Sequence, residues 1–160
     1  MVPGGRAWVD LADPRATRDL VRESAPDIVV VVNAAVYTTV DKAEAEGELA
    51  RRINAEAPGL LGDLLHRRGV PMVHYSTDFV FSGSAERPYR EDDAPRPLNL
   101  YGETKLRGEQ SLMAAGANAV ILRTSWVYGV RSSNFLRTML RLFDERTELR
   151  IVDDQIGTPT

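Results

Sequence analysis

Two kinds of apolar segment alternate along the chain. Short runs rich in β-branched residues, typical of parallel strands, alternate with longer segments whose leucines recur at helical spacing. Because parallel strands need crossover connections, this alternation predicts an α/β fold with a doubly wound parallel sheet. The predicted strands are 28–32, 70–75, 119–124 and 149–152, and the predicted helices are 14–24, 41–68, 100–115 and 134–146.

Polar or small residues directly follow three of these strands, in segments 33–39, 76–79 and 125–128. In an open α/β sheet, ligands bind beyond the carboxyl ends of the strands, so we expect the chemistry there. Segment 77–99 is rich in turn residues and is interpreted as a long functional loop. Pro58 is expected to kink or restart the helix that contains it.

The two ends of the chain lack features that a complete sheet of this kind carries. No Gly-x-x-Gly-x-x-Gly turn lies between a strand and a helix, Gly4-Gly5 is not that motif, and 157–160 is loop-like. We therefore expect a partial chain without the first strand, the glycine-rich turn and the C-terminal substrate region. Residues 1–160 are interpreted as a single, partial domain.

Composition narrows the function classes. The net charge of −3 gives no general attraction to nucleic acid or to an anionic membrane, and no apolar run is long enough to span a bilayer. The absence of cysteine excludes disulfides and cysteine-based sites. His66 and His74 are eight residues apart, which is not a metal-ligand spacing, so no metal site is predicted. We expect a cytoplasmic protein.

Tyr101 and Lys105 are the strongest candidates for catalysis. Their spacing of four at the start of a predicted helix places both side chains on one face. A ketone reductase needs a proton donor at the carbonyl oxygen, and a nearby lysine cation favours the phenolate and lowers the tyrosine pKa. Only Lys42 and Lys105 are lysines among the 20 basic residues, so a lysine here is uncommon.

Three other segments support this pair, each with a structural alternative. A hydroxyl in Ser76-Thr77-Asp78 can polarise the same carbonyl, or the segment is a plain strand-ending turn. Asn33-Ala34-Ala35 lets a flat ligand approach the backbone, or it is ordinary helix–strand packing. Asp10-Leu11 contacts an adenine ring, or it caps the helix before Pro14.

Five stretches, in this order and spacing, resemble the extended short-chain dehydrogenase/reductases and in particular the dTDP-4-dehydrorhamnose reductase family. Together they cover nearly the full length of the chain. The stretches are 33–44 (NAAVYTTVDKAE), 74–81 (HYSTDFVF), 97–106 (PLNLYGETKL), 123–128 (RTSWVY) and 154–160 (DQIGTPT).

The resemblance implies a Rossmann-like NAD(P)-binding domain that reduces a dTDP-linked 4-keto-6-deoxysugar at C4 with NADPH or NADH. Tyr101 would be the proton donor, with Lys105 supporting it and holding the ribose, and Thr77 would complete a catalytic triad. The implied cofactor-binding residues are Asp10, Leu11, Ala34, Ala35, Val36, Tyr37, Thr38, Tyr75, Tyr101 and Lys105. The implied substrate-binding residues are Thr77, Asp78 and Trp126.

Alternatives stay open at this point. A 4-epimerase on the same scaffold would keep the tyrosine and the lysine, and a non-catalytic subunit resembling the regulatory subunit of methionine adenosyltransferase would bind a partner enzyme. Dehydration is disfavoured, because related dehydratases carry an Asp-Glu pair where this chain has Asp78-Phe79. Trp126 has core packing as its alternative role, Asn54 is expected to be structural or water-binding, and the sequence leaves a homodimer open.

Overall fold

The structure is a computed structural model that describes residues 9–24, 28–130, 134–152, 157, 158 and 160. It divides into two compact units, Met1–Arg123 and Thr124–Thr160. The helices are α1 (Pro14–Glu23), α2 (Val40–Ala43), α3 (Gly47–Arg51), α4 (Ala57–His66), α5 (Leu100–Ala114) and α6 (Phe135–Glu145), with a π-helical turn at Arg52–Glu56 and a 3₁₀ turn at Asp78–Val80. The strands are β1 (Val31–Asn33), β2 (Met72–Thr77) and β3 (Ala119–Thr124).

The three strands form one sheet in the order β1-β2-β3, and β1 runs parallel to β2. Val31 pairs with Met72 and Asn33 with His74, so the carboxyl end of β1 lies beside the middle of β2. This register brings the segment after β1 close to the functional end of β2. The α/β fold with a parallel sheet is confirmed.

The main core lies between the sheet and three helices. Met72 of β2 packs with Val21 of α1, Leu61 and Leu65 of α4 and Leu112 of α5. Each of these side chains is at most 5% exposed. Burial of such apolar surface is the main force that holds α5 against β2, the two elements that carry the candidate chemistry.

Polar caps fix where the helices begin. The Asp13 carboxylate accepts a hydrogen bond from the Arg15 N–H at 2.8 Å, with proline at the first position of α1. The Asn99 amide oxygen accepts from the Gly102 N–H at 2.8 Å and so starts α5 one residue before Tyr101. Since the cap fixes the first turn of α5, Asn99 also fixes the direction in which the Tyr101 side chain points from the helix.

Two predicted strands differ from the structure. The predicted strand 28–32 is shorter and shifted, because pairing with β2 begins at Val31 and the preceding residue of the partner is Pro71, which has no N–H to donate. Strands of a parallel sheet are usually buried on both faces, but Val32 is 56% exposed. The predicted strand 149–152 is wrong: these residues have no regular structure, and Ile151 and Val152 are exposed.

The predicted helix 41–68 is divided into several parts. A π-helical turn, Arg52–Glu56, comes directly before α4, and Pro58 stands in the first turn of α4, where its missing N–H is tolerated. The helical backbone continues from Gly47 through the proline to His66, and the π-helical turn directly before α4 is the local irregularity there. The turn places Asn54 in the interior, where it is 1% exposed.

Candidate active site

Helix α5 carries the two predicted catalytic side chains and packs closely on its neighbours through glycine. A Cβ at Gly102 would overlap the Phe79 carbonyl oxygen, and one at Gly108 would overlap the Asn54 carbonyl oxygen. Only glycine allows backbone to approach a helix this closely. The two glycines therefore set the distance between α5 and the elements that complete the site.

Lys105 is fully buried, with 1% of its surface exposed. Its Nζ donates a hydrogen bond of 2.6 Å to the Tyr75 carbonyl oxygen on β2. Burial lowers the pKa of Lys105 to about 8, and the nearby Glu109 carboxylate opposes that shift. A buried ammonium with a fixed acceptor is thus held beside the end of β2.

Tyr101 is half-buried one turn before Lys105 on the same helix. Burial raises the pKa of Tyr101 above its usual value, a hydrogen bond with the Thr77 hydroxyl lowers it, and the Asp78 carboxylate raises it. The expected net lowering of the Tyr101 pKa by Lys105 is therefore not found. Burial is the largest cause of the change, and Lys105 is not among the groups that shift the Tyr101 pKa; its ammonium donates to the Tyr75 carbonyl oxygen instead.

Thr77 and Asp78 connect β2 to the following loop. The Thr77 hydroxyl donates to the Asp78 carboxylate at 3.2 Å and accepts from the Phe79 N–H at 3.2 Å. Burial raises the pKa of Asp78, and the hydrogen bond from Thr77 opposes the change. Segment Ser76-Thr77-Asp78 therefore does make a strand-ending turn, and the same turn brings Thr77 to Tyr101.

Two asparagines hold the segment after β1. The Asn33 side-chain oxygen accepts from the Ala35 N–H at 3.2 Å, and the Asn54 side-chain oxygen accepts from the Tyr37 N–H at 2.9 Å. Asn54 also donates to the Thr104 hydroxyl of α5 at 3.2 Å. Its role is thus structural: it ties the predicted cofactor loop to the helix that carries Tyr101 and Lys105.

The predicted cofactor residues of this loop differ in what they offer a ligand. Ala34 and Thr38 are exposed, and Ala35 and Val36 are half-buried. Tyr37 is 8% exposed, and its hydroxyl donates to Glu46 at 2.7 Å. A ligand here would therefore meet small side chains and backbone, while the Tyr37 ring belongs to the small core around Ala43 and Ala50.

A buried polar cluster beside the site was not predicted from the sequence. The Ser76 hydroxyl donates to Glu109, and the Arg123 guanidinium binds both carboxylate oxygens of Glu109. Glu109 is 1% exposed. A signal for it does exist in the sequence, because Glu109 follows Lys105 at the same spacing of four that joins Lys105 to Tyr101.

His74 is a second buried polar residue near Lys105. Its side chain is fully buried, and its Nδ1 lies 3.1 Å from the Asn33 amide nitrogen. Because an amide nitrogen donates, Nδ1 accepts and the proton sits on Nε2. Among the residues that the structure describes, Nε2 has no hydrogen-bond partner. Burial and the Lys105 cation lower the pKa of His74 to about 3, so the ring is neutral.

The segment before α1 carries the predicted adenine contacts. Asp10 does not cap the helix, because Asp13 holds that position and Asp10 instead accepts a hydrogen bond from the Ala12 N–H at 2.9 Å. Leu11 lines a shallow cavity with Arg18 and Arg52. The adenine contact of Asp10 and Leu11 stays a prediction.

Trp126 belongs to the second compact unit. Its backbone is left-handed, with φ of 49°, a conformation that residues other than glycine rarely adopt. The ring packs edge-on against Phe135, with centroids 5.5 Å apart. Ser125 Oγ donates to the Thr158 carbonyl at 2.6 Å, which supports this turn. Residues 1–8 and 153–156, which include Gly4-Gly5 and the start of the predicted stretch 154–160, lie outside the described residues.

Membrane-spanning helices and metal-binding clusters are both absent from the part of the chain that the structure describes. No helix in it is both long and apolar enough to cross a membrane. The same residues contain no group of three or more histidine and acidic side chains that could hold a metal ion.

Comparison with known proteins gives a consistent family. The profile of the RmlD substrate binding domain matches residues 1–160. The chain is 48% identical to the dTDP-4-dehydrorhamnose reductase of Burkholderia thailandensis over 160 residues, which cover 100% of this chain and 53% of that protein. It is also 48% identical to the reductase of that name from Escherichia coli K12, over 94% of this chain and 50% of that protein.

A solved structure agrees with these sequence relatives. The dTDP-4-dehydrorhamnose reductase of Bacillus anthracis, in complex with NADP, superposes with a TM-score of 0.93 at 38% identity and covers 99% of this chain and 56% of its own. The chain spans about half the length of the curated relatives it matches. The chain therefore belongs to the dTDP-4-dehydrorhamnose reductase family.

Proposed function

We propose that the protein carrying this chain reduces the C4 ketone of a dTDP-linked 4-keto-6-deoxysugar with NADPH or NADH. The observation that carries the proposal is the meeting of three groups at the end of β2: the Thr77 hydroxyl, the Tyr101 hydroxyl and the Lys105 ammonium. All were candidates from the sequence, and they come from two elements that the fold packs together. Curated relatives named dTDP-4-dehydrorhamnose reductase support the substrate class.

The proposed proton donor is Tyr101. Burial holds its pKa above the usual value, so the hydroxyl keeps its proton at neutral pH and can give it to a ketone oxygen that becomes an alkoxide. Thr77, whose hydroxyl interacts with Tyr101, would polarise the same oxygen by donating to it in place of Asp78. Lys105 would favour the phenolate that remains, because a cation nearby stabilises the negative charge.

The residues present fit a nicotinamide cofactor. An ammonium has three donors, and the described contacts of Lys105 include one hydrogen bond, to Tyr75, so ribose hydroxyls are suitable further acceptors. The loop of Ala34 through Thr38, which Asn33 and Asn54 hold by hydrogen bonds, offers exposed residues and small side chains to the same cofactor. When bound, the cofactor supplies the hydride for the ketone carbon. Asp10 and Leu11 would contact its adenosine half.

Substrate contacts are proposed for three residues. Thr77 and Asp78 lie at the carboxyl end of β2, where such sheets bind ligands. Trp126 presents an aromatic ring from a left-handed turn, a strained backbone of the kind that clusters at functional sites. A relative from Streptomyces antibioticus, 44% identical, is named as a probable 4-ketoreductase of a dTDP-linked sugar, which supports a C4 ketone as the reacting group.

Phe79 supports reduction over dehydration. Its ring packs edge-on against Tyr101, with centroids 5.7 Å apart. A phenyl ring has no proton to exchange, so the position next to Asp78 offers no acid or base for eliminating water. The same ring packs against the Tyr101 ring, which is half-buried.

The deciding experiment is an oxidation assay with the intact gene product. Purified protein is supplied with NADPH and dTDP-4-dehydrorhamnose, and reduced nicotinamide is followed by its absorbance. Substrate-dependent loss of NADPH with formation of the C4 alcohol is the expected result. Copurified NAD with no net consumption would instead indicate an epimerase. A folded protein that binds cofactor but catalyses neither reduction nor epimerisation would indicate the regulatory alternative.

Two further proposals accompany this function. We propose that the protein works in the cytoplasm, where sugar nucleotides and reduced nicotinamides are available together. A homodimer stays a prediction. Fractionation of cells and light scattering of the purified protein test these two statements.

A further inference from the structure

Strand β2 and helix α5 are joined by polar contacts. The Tyr75 carbonyl accepts from Lys105 at 2.6 Å, and the Ser76 hydroxyl donates to Glu109 at 2.5 Å. Thr77, the next residue of the strand, meets Tyr101. Three consecutive strand residues therefore interact with three helix residues spaced by four, and Glu109 is the one bound by Ser76.

Glu109 is itself held from a neighbouring strand. The Arg123 guanidinium of β3 binds its carboxylate through two hydrogen bonds, of 3.0 and 2.7 Å. The Glu109 side chain is 2% exposed and the Arg123 side chain is 24% exposed. Such a bidentate pair has a fixed geometry as well as a strong attraction. Arg123 also lies over the Phe81 ring at 5.0 Å, which limits the freedom of its guanidinium.

The position of this carboxylate matters for the groups on either side. Ser76 stands between the residue whose carbonyl holds Lys105 and the residue whose hydroxyl meets Tyr101. A bond to the Ser76 side chain therefore fixes the backbone that presents both groups. Small displacements of catalytic groups are costly, since about 1 Å of misplacement can lower turnover on the order of 100-fold.

We infer that Glu109 is a positioning residue of the proposed reduction: clamped by Arg123, it holds the end of β2 in register with α5 and keeps Lys105 in its place and its charged form. The inference rests on the proposed function. The Ser76–Glu109–Arg123 cluster does not touch the reacting groups and acts through Lys105 and the strand.

The charges around Lys105 define a second consequence. From its own helix Lys105 faces Glu109, and from β2 it faces the neutral ring of His74, whose pKa is about 3. Beyond Glu109 stands Arg123. Glu109 raises the pKa of Lys105 against the effect of burial. Removing the Glu109 charge therefore lowers the Lys105 pKa, and the Arg123 cation left behind acts in the same direction.

The test compares Glu109→Gln with Glu103→Gln in the intact gene product. Glu103 is a matched control, because it lies on the same helix and pairs with an arginine, Arg107, but in solvent. Glu109→Gln is expected to lower kcat on the order of tenfold with a smaller change in KM, and to move the alkaline limb of the pH profile to lower pH. Glu103→Gln is expected to behave as wild type.

A second measurement does not depend on activity. Lysine ¹³Cε signals are followed by NMR as the pH is raised, with the Lys105 signal assigned by Lys105→Arg. Glu109→Gln is expected to move the Lys105 titration to lower pH. If wild-type protein fails to oxidise NADPH, the proposed function falls, and this titration still decides whether Glu109 sets the charge of Lys105.

A third variant guards against simple misfolding. Ser76→Ala removes the hydroxyl but keeps the Glu109–Arg123 pair, so it is expected to lower kcat severalfold while leaving the alkaline limb in place. The inference is overturned if folded Glu109→Gln keeps wild-type kcat and pH profile. It is also overturned if lost activity only parallels a lower melting temperature while the Lys105 titration is unchanged.

Discussion

The Lys105 ammonium and the Tyr75 carbonyl oxygen are 2.6 Å apart, so the proposed catalytic lysine is anchored to backbone and not to a side chain. A carbonyl acceptor carries no full charge, and burial lowers the Lys105 pKa to about 8 with Glu109 as the opposing influence. Lys105 is therefore mostly charged at neutral pH, but its pKa lies only about one pH unit above neutrality. Lys105 is a group whose charge the medium can change within the working range of an enzyme.

This relationship predicts a loss of turnover at mildly alkaline pH. A lysine is a cation below its pKa, so the charged form is lost as the pH rises through about 8. We expect kcat/KM for ketone reduction to fall about tenfold for each pH unit above that value, because kcat/KM reports the pKa values of the free enzyme. The measurement is kcat/KM against pH. A flat profile to pH 10 would contradict the assigned role of the Lys105 charge.

Substitutions at the pair test the roles separately. Tyr101→Phe keeps the ring but removes the proton, so kcat should fall by about 100-fold or more while cofactor affinity stays near wild type. Lys105→Arg keeps a cation, but its planar guanidinium does not fit the Tyr75 carbonyl and a ribose as an ammonium does, so turnover should also be poor. Initial rates and cofactor titrations provide both readouts.

One outcome for each of these two variants would contradict the role assigned to its residue. Near-normal turnover of Tyr101→Phe would remove Tyr101 as proton donor. Full activity of Lys105→Arg would mean that the lysine acts by its charge alone. Lys42→Arg is the matched control, because Lys42 is the other lysine of this chain and is exposed.

Much of the fold was predictable because local patterns and tertiary structure agree. Helix α5 and strand β3 match their predicted ranges to within a residue, since the Asn99 cap and the β-branched run are local signals. The predicted strand 149–152 was wrong, because an apolar pattern alone does not supply a neighbouring strand. The start of β1 was also misplaced. Pairing with β2 begins only at Val31, because the residue before Met72 on β2 is Pro71, which has no N–H to donate.

The candidate site residues remain predictions, but some of their contacts could not have been predicted from the sequence. The spacing of Tyr101 and Lys105 survives folding because a helix preserves it. The carboxylate of Glu109 was missed, since its partners Ser76 and Arg123 lie on two different strands. The sign of the Tyr101 pKa change was also missed, because sequence reasoning counts charges but does not measure burial.

Gly108 should be intolerant of a side chain. A Cβ there would overlap the Asn54 carbonyl oxygen, which is backbone and cannot move away cheaply. Gly108→Ala is therefore expected to destabilise the protein by about 2 kcal/mol or more, although alanine is the better helix former. Because Asn54 also binds Tyr37 and Thr104, the variant should weaken cofactor binding as well. Denaturant unfolding and cofactor titration measure the two effects.

Gly47→Ala is the matched control for this substitution. A Cβ at Gly47 would meet only the Cδ2 of Leu100, the far end of a flexible side chain, at 2.8 Å. The leucine can rotate, so the expected change in unfolding free energy is within about 0.5 kcal/mol. If Gly108→Ala were as stable as Gly47→Ala, the close approach of α5 to Asn54 would not hold.

His74 predicts how the stability of the fold depends on acid. Its pKa is about 3 in the folded protein, against 6.5 for a free side chain, with burial as the larger cause and the Lys105 cation as the smaller. The unfolded chain therefore binds a proton below pH 6.5 that the folded chain refuses. The stabilisation is complete above pH 6.5 and is lost progressively as the pH falls toward 3. At pH 5 the loss is about 2 kcal/mol.

The variant that checks this is His74→Gln, which keeps an amide to bind Asn33 but cannot take up a proton. Its unfolding free energy between pH 7 and pH 5 should fall less than that of wild type, by about 2 kcal/mol. His66→Gln, which changes an exposed histidine, should keep the wild-type dependence. Denaturant unfolding at the two pH values gives the numbers. An equal acid dependence in His74→Gln and wild type would show that the His74 ring accepts a proton in the folded state. The assignment of a neutral His74 beside Lys105 would then be wrong.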